Sequence, residues 1–190
     1  MFTATLTCER VTKADLLKCE YEGDTVEATD ADEARLSAFS KLHLPGRKRH
    51  GQGRVQYECG NVFIGQWVDD LREGFGTFWY ACGDKYEGRW KAGKYEGAGK
   101  YTGSGSGGAS LGGDSYEGEW KADEPHGHGR YTYRETGEAY EGQWREGKYH
   151  GEGSFYGVDG AVKVEGEWRD GLLVPRWQRK QKSAPMPSES

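Results

Sequence analysis

The chain reads as mainly β: a single-layer, elongated, twisted antiparallel sheet of tandem β-hairpins with a short helix-containing cap at its N-terminal end. Three observations predict this. Trp67, Trp90, Trp120, Trp144 and Trp168 recur at spacings of 23, 30, 24 and 24 residues, each two residues after a glycine. The first four lead, seven residues later, into a Gly-x-Gly: Gly74/Gly76, Gly97/Gly99, Gly127/Gly129 and Gly151/Gly153. A self-similar period of this size marks an array of stacked supersecondary units. Within each unit, in segments such as Tyr-Glu-Gly-Arg-Trp at 86–90 and Tyr-Glu-Gly-Glu-Trp at 116–120, aromatic, glycine and tryptophan alternate with Glu, Gln or Arg. That is the period of two of a half-buried strand.

From the N-terminus, residues 1–43 form an extension. Asp30 to Glu33 has the form of a capping box, and Leu36, Phe39 and Leu42 have helical spacing, so 30–42 predicts a short helix closing the end of the sheet. Residues 1–28 are open to one or two strands or a second short helix over Thr12–Cys19. The array runs over 44–172. Its first unit is degenerate: His50-Gly-Gln-Gly53 with Val55 and Tyr57 makes a second strand, but no aromatic-Gly-Trp precedes it. Each later unit predicts one strand through the tryptophan, a short polar link (91–96, 145–150), and a second strand whose two glycines and aromatic share a face. Gly60, Gly83, Gly137 and Gly160 mark the turns to the next hairpin. The Gly/Ser-rich stretch 103–114 is an inserted flexible loop. The array stops after Trp168, where Gly171-Leu-Leu-Val-Pro175 replaces the Gly-x-Gly strand. Residues 173–190 are a basic, then Ser/Pro-rich, tail.

Glycine inside strands normally weakens them. Here the glycines share a face with bulky rings, so a neighbouring ring can lie across the bare backbone. Composition agrees. Hydrophobic residues are 34% of the chain, mean hydropathy is −0.94, and aromatic residues reach 13%. A thick two-layer core is excluded, and rings supply the apolar surface.

The net charge of −5 is uneven: −4 over 1–42, −4 over 43–173, and +3 over 174–190. The array has no basic field for a nucleic-acid backbone. No apolar run approaches the length of a membrane-spanning helix, and the N-terminal residues lack a secretory pattern. Cys8, Cys19, Cys59 and Cys82 include no C-x-x-C pair. Cys59 and Cys82 occupy the same turn position, separated by two strand spacings, so all four are expected to be free thiols.

Gly103-Ser-Gly-Ser-Gly-Gly108 matches a dinucleotide-binding string without the strand–helix context that string needs, and reads as the loop. His50, His126 and His150 sit at one repeat position, with His128 beside His126. Spread along a sheet, they do not converge on a metal. Glu87, Glu117, Glu141 and Glu165 form a ladder on the polar face, not a convergent pair for acid–base work. A solvated face or an acidic strip for a basic partner both fit it. No catalytic residue, cofactor or metal is expected.

The unit Y-E-G-x-W-x-x-G-K-x-H-G-x-G-x-x-x-Y resembles the MORN repeat (membrane occupation and recognition nexus) over residues 44–172. The resemblance implies an elongated hairpin sheet and a non-catalytic scaffold of the kind found in cilia, flagella, cortical cytoskeleton and membrane junctions. The expected function is a protein-binding scaffold in a flagellar, ciliary (axonemal) or cytoskeletal assembly, located in the cytoplasm. It would grip a helical or extended segment of another protein along an aromatic groove of Tyr86, Trp90, Tyr101, Tyr116, Trp120, Tyr131, Tyr140, Trp144 and Trp168, with Trp67 in the same row. A homodimer through the incomplete last unit is a further possibility. The alternative is a peripheral membrane adaptor touching anionic lipid through Arg176, Trp177, Arg179, Lys180 and Lys182.

Overall fold

The computed structural model describes residues 19–27, 47–105 and 113–175. Its strands are β1 (Cys19–Glu27), β2 (Arg47–Tyr57), β3 (Val62–Val68), β4 (Leu71–Trp79), β5 (Lys85–Lys91), β6 (Lys94–Thr102), β7 (Ser115–Lys121), β8 (Glu124–Thr132), β9 (Ala139–Arg145), β10 (Lys148–Tyr156), β11 (Val162–Arg169) and β12 (Leu172–Leu173). They form one open antiparallel sheet in chain order. At ~4.8 Å per strand spacing it extends roughly 50 Å. The helix expected over 30–42, everything before Cys19, residues 106–112 of the insertion and the basic tail from Arg176 lie outside the described residues.

Local chemistry sets the hairpins. Asp69-Asp70, Ala92-Gly93, Ala122-Asp123, Glu146-Gly147 and Asp170-Gly171 join strand pairs as two-residue turns, with left-handed φ at both residues of every turn. Such turns match the twist of the strands they join. Asp70 and Asp123 stand where three hairpins have glycine, and each puts its carboxylate to use. Asp123 Oδ1 accepts from the Tyr95 amide at 2.8 Å, and Asp70 Oδ1 from the Arg49 amide and Nε at 3.0 Å.

Three sequence expectations change. The missing half of the first hairpin is β1, where Tyr21-Glu-Gly23 sits opposite Gly53. The sheet therefore begins at Cys19, ahead of the expected boundary at residue 44. The polar links are tight turns, so Tyr95 and Tyr149 belong to strands and join the rings. Finally, the first glycine of each Gly-x-Gly does not share the ring face. Gly127 has φ 56°, and a Cβ there would meet the Glu119 carboxylate on the opposite face. It is a bulge that shifts the register between Gly118 and Glu119.

The remaining glycines form one row. Gly23, Gly53, Gly65, Gly76, Gly88, Gly99, Gly118, Gly129, Gly142, Gly153 and Gly166 pair in sequence across eleven strands. A phenol or phenyl ring lies along each hairpin over this row. A Cβ on Gly129 would stand 2.2 Å from the Tyr116 hydroxyl, and one on Gly76 would stand 2.5 Å from Phe63. The hydroxyls of Tyr86, Tyr116 and Tyr140 then donate to the carbonyls of Arg89, Glu119 and Gln143 at 2.9, 2.9 and 3.1 Å. Each tryptophan indole donates back to a glycine carbonyl of the preceding strand: Trp90 to Gly76, Trp120 to Gly99 and Trp144 to Gly129, all at 3.0 Å, and Trp168 to Gly153 at 3.1 Å. The rings lie flat on the backbone instead of standing off it, which lets one layer exclude water.

Candidate functional site

The ring residues expected to line a groove are placed in the core. Tyr86, Trp90, Tyr101, Tyr116, Trp120, Tyr131, Tyr140 and Trp144 are all buried, and Trp168, in β11, is half-buried. The cause is mutual packing between hairpins. Tyr86 meets Trp90 edge-on at 5.2 Å and Trp120 of the next hairpin at 5.5 Å, while Tyr95 stacks on it at 3.6 Å. Tyr116 sits likewise between Trp120 and Trp144, and Tyr140 between Trp144 and Trp168. Edge-to-face pairs contribute about 0.5–1.5 kcal/mol each beyond burial. Burial pushes the hydroxyls of Tyr86, Tyr95, Tyr116, Tyr131, Tyr140 and Tyr149 above the ordinary phenol range. The space of the expected groove is filled by the rings themselves. Arg176, Trp177, Arg179, Lys180 and Lys182 lie outside the described residues.

A second set of groups clamps successive connections. Asp84 is buried; its carboxylate accepts from the Tyr101 hydroxyl at 2.6 Å and the Ser104 amide at 2.8 Å. Asp114 repeats the device with Tyr131 at 2.6 Å and the Arg134 amide at 2.8 Å. Asn61 Oδ1 accepts from the Ala81 amide at 2.7 Å. These residues each lie two before the strand's aromatic, a spacing legible in the sequence. His50 and His150 sit at hairpin ends, each with Nδ1 3.8 Å from the nearby Asp69 or Asp170. Cys59 and Cys82 lie in turns, and neither forms a disulfide.

The opposite face is open, and it is where side chains converge on solvent. A trough of about 980 Å³ crosses it from β4 to β9, lined by Phe75, Lys100, Glu117, Glu119, His128 and Arg130 among others. Glu87, Glu117 and Glu141 of the predicted ladder are here, but not alone. In register across the strands stand Glu87, Lys100, Glu117, Arg130 and Glu141. Lys100 pairs with Glu117 at 2.9 Å and Arg130 with Glu141 at 2.6 Å. From Glu87 to Glu141 the acidic strip is thus an alternating ladder, because the second strands of hairpins β5–β6 and β7–β8 each contribute a cation directly opposite. Exposed pairs of this kind contribute little to stability, about 0–1 kcal/mol each.

A chain of successive hairpins, each sharing its aromatic layer with the next and adding no separate domain within the described residues, defines a tandem β-hairpin repeat protein. The MORN repeat profile matches residues 63–85, 86–107, 116–135, 140–162 and 165–174, more than half of the chain, and the protein belongs to this family. A search of curated proteins finds no match. MORN repeats are generally scaffolds that bind proteins or membranes, and the family is typically non-catalytic.

Proposed function

We propose that this protein is a non-catalytic scaffold that holds a segment of another protein along its sheet, as a structural component of a cytoskeletal assembly such as a ciliary or flagellar axoneme, in the cytoplasm. The observation that carries the scaffold reading is the division of labour between the two faces. One face is consumed by rings that bury one another; the other keeps a long charged trough open to solvent. The aromatic row then serves the partner at second hand, by stiffening the floor of the trough, with half-buried Trp168 at its margin. The axonemal assignment rests on where related repeats occur.

Cross-linking mass spectrometry after proximity labelling in cells tests this reading. Links from Lys100 and Lys85 to one dominant cytoskeletal protein are expected. Links confined to lipid-associated proteins favour the second reading, a membrane adaptor working through Arg176, Trp177, Arg179, Lys180 and Lys182. Sequence alone supports that alternative, through the +3 charge of residues 174–190. Sedimentation with anionic liposomes separates the two: a scaffold stays in the supernatant, and an adaptor pellets until residues 174–190 are removed.

A further inference from the structure

The last hairpin has a full first strand and only the start of a second. β12 sets Leu172 opposite Arg169 and Leu173 opposite Trp168, and the Val174 amide then donates to the Glu167 carbonyl at 2.8 Å. From Gly166 back to Val162, no described strand pairs with the outer side of β11. An unpaired edge of this kind is a template for another strand. In an antiparallel ladder, alternate residues turn both backbone groups toward the same neighbour. Glu167 faces outward, so Glu165 and Lys163 do as well.

The side chains along this edge specify what should lie beside them. Glu87 has Lys100 opposite it, and Glu117 has Arg130. Glu165, the last glutamate of the ladder, faces Ser154 on its inner side and has no ion pair among the described residues. On the ring face, Tyr86 is opposite Tyr101, Tyr116 opposite Tyr131, and Tyr140 opposite Phe155. Val164 holds the corresponding place in β11, smaller than tyrosine and 36% exposed. The outer side of β11 therefore lacks a cation and, one residue further on, a large ring.

The chain supplies both, in that order, directly after Pro175. Continued one for one, the β11–β12 register sets Pro175 opposite Gly166, Arg176 opposite Glu165, Trp177 opposite Val164 and Gln178 opposite Lys163. Other second strands insert a bulge here, opened by a glycine: Gly74, Gly97, Gly127 and Gly151 have φ between 56° and 71°. Proline is locked at a φ of about −65°, so Pro175 cannot open that bulge and the one-for-one register is kept. The N–H that proline lacks falls on the side away from β11, where an edge strand tolerates its loss. A second copy fits the edge less well. Two β11 strands paired about Val164 would set Lys163 against a second Glu165, but Lys163 already holds Glu138 at 2.5 Å. Valine against valine would also leave the ring layer unfilled, and no tether would hold the copy in place as the chain holds Arg176.

We infer that residues 176–179 are the missing strand of the last hairpin, paired with the free edge of β11, with Arg176 against Glu165 and Trp177 in the ring layer beside Val164. This strand withdraws the end of the sheet from addition by another chain. Arg176 and Trp177 then serve the fold and not a lipid surface.

Amide hydrogen exchange on the full chain, resolved residue by residue by NMR, tests this. Gln178→Pro removes an N–H aimed at the Lys163 carbonyl, and Arg179→Pro removes one that points away. The Lys163 amide is expected to exchange at least about tenfold faster in Gln178→Pro than in the unaltered chain, and to keep its protection in Arg179→Pro. Unprotected Lys163 and Glu165 amides in the unaltered chain, or equal exchange in the two variants, overturn the inference. Protection that fades on dilution as a dimer dissociates makes a second copy the occupant and overturns it too. A second arm replaces the four native cysteines by serine and adds Val164→Cys with Trp177→Cys. Such a pair lies ~4.5 Å apart at Cα, within disulfide range, and should close within one chain under mild oxidation. Val164→Cys with Gln178→Cys puts the thiols on opposite faces and should stay open. Failure of the first pair to close, or closure of the second in its place, overturns the register and the inference with it. Neither arm involves a binding partner, so both outcomes are independent of the scaffold reading.

Discussion

The two faces of this sheet obey different rules. On the ring face, position after position repeats: a row of glycines, a ring lying over it, an indole bonded to a glycine carbonyl. On the trough face the same strands carry Ile64, Glu87, Glu117, Glu141 and Glu165 in turn, or Phe75, Ala98, His128 and Glu152. The contrast follows from what each face excludes. Where two hairpins must share one aromatic layer, a residue in one unit is a wall of the next, and only one geometry fits all of them. Where side chains end in water, each unit is free to differ. Repetition therefore reports packing, and variation reports freedom from it, within one layer of backbone.

Substitutions should separate the faces by size of effect. Gly129→Ala places a methyl 2.2 Å from the Tyr116 hydroxyl, with paired backbone behind it. It should cost about 3 kcal/mol or more, as should Trp120→Ala at about 3–5 kcal/mol, both read as lower urea midpoints. Native-like stability in either variant breaks the distinction between faces. High pH should act next and only on the ring face. The buried phenols have raised pKa values in the fold. Their contribution is complete below the unfolded value of roughly pH 10 and is lost as pH rises beyond it, by up to about 1.4 kcal/mol per pH unit per phenol. Ultraviolet titration should show most of the tyrosines ionising together with unfolding; independent ionisation in a folded protein contradicts the packing.

Asp84→Ala removes the carboxylate that accepts from the Tyr101 hydroxyl and the Ser104 amide, and should cost about 1–3 kcal/mol by thermal melting. Tyr116→Phe should cost only about 1 kcal/mol, since Phe63 fills the same place without a hydroxyl. Glu117→Ala should stay within about 0.5 kcal/mol. A larger loss there would mean the charge ladder supports the fold, and the faces would be less distinct than described.

Much of this architecture was readable before the fold was seen. The tryptophan spacing located five hairpins, and alternation divided their faces. Tyr21-Glu-Gly23 was equally visible as the first half of the motif, but 23 residues separate Gly23 from the Arg47 end of its partner strand and a threonine, Thr25, follows where tryptophan should stand. Tyr95 and Tyr149 were hidden because Pro125 and Arg72 fill the same position elsewhere, so no pattern announces them. The bulge was misread because a glycine has no side chain to reveal which way it faces. The opposing cations Lys100 and Arg130 are plain in the sequence, yet their place opposite Glu117 and Glu141 depends on register, and the bulge sets the register.

The sequence by itself determined the unit, its period and the pairing of glycine with ring, because these are local and recur until chance is excluded. Only the tertiary structure decided which side remains open. Rings on a single sheet can either line a groove or close over one another, and which occurs depends on how far each Trp reaches across to the Tyr of the neighbouring hairpin. Here that reach is about 5 Å, the rings close over one another, and the face left open to solvent is the charged one.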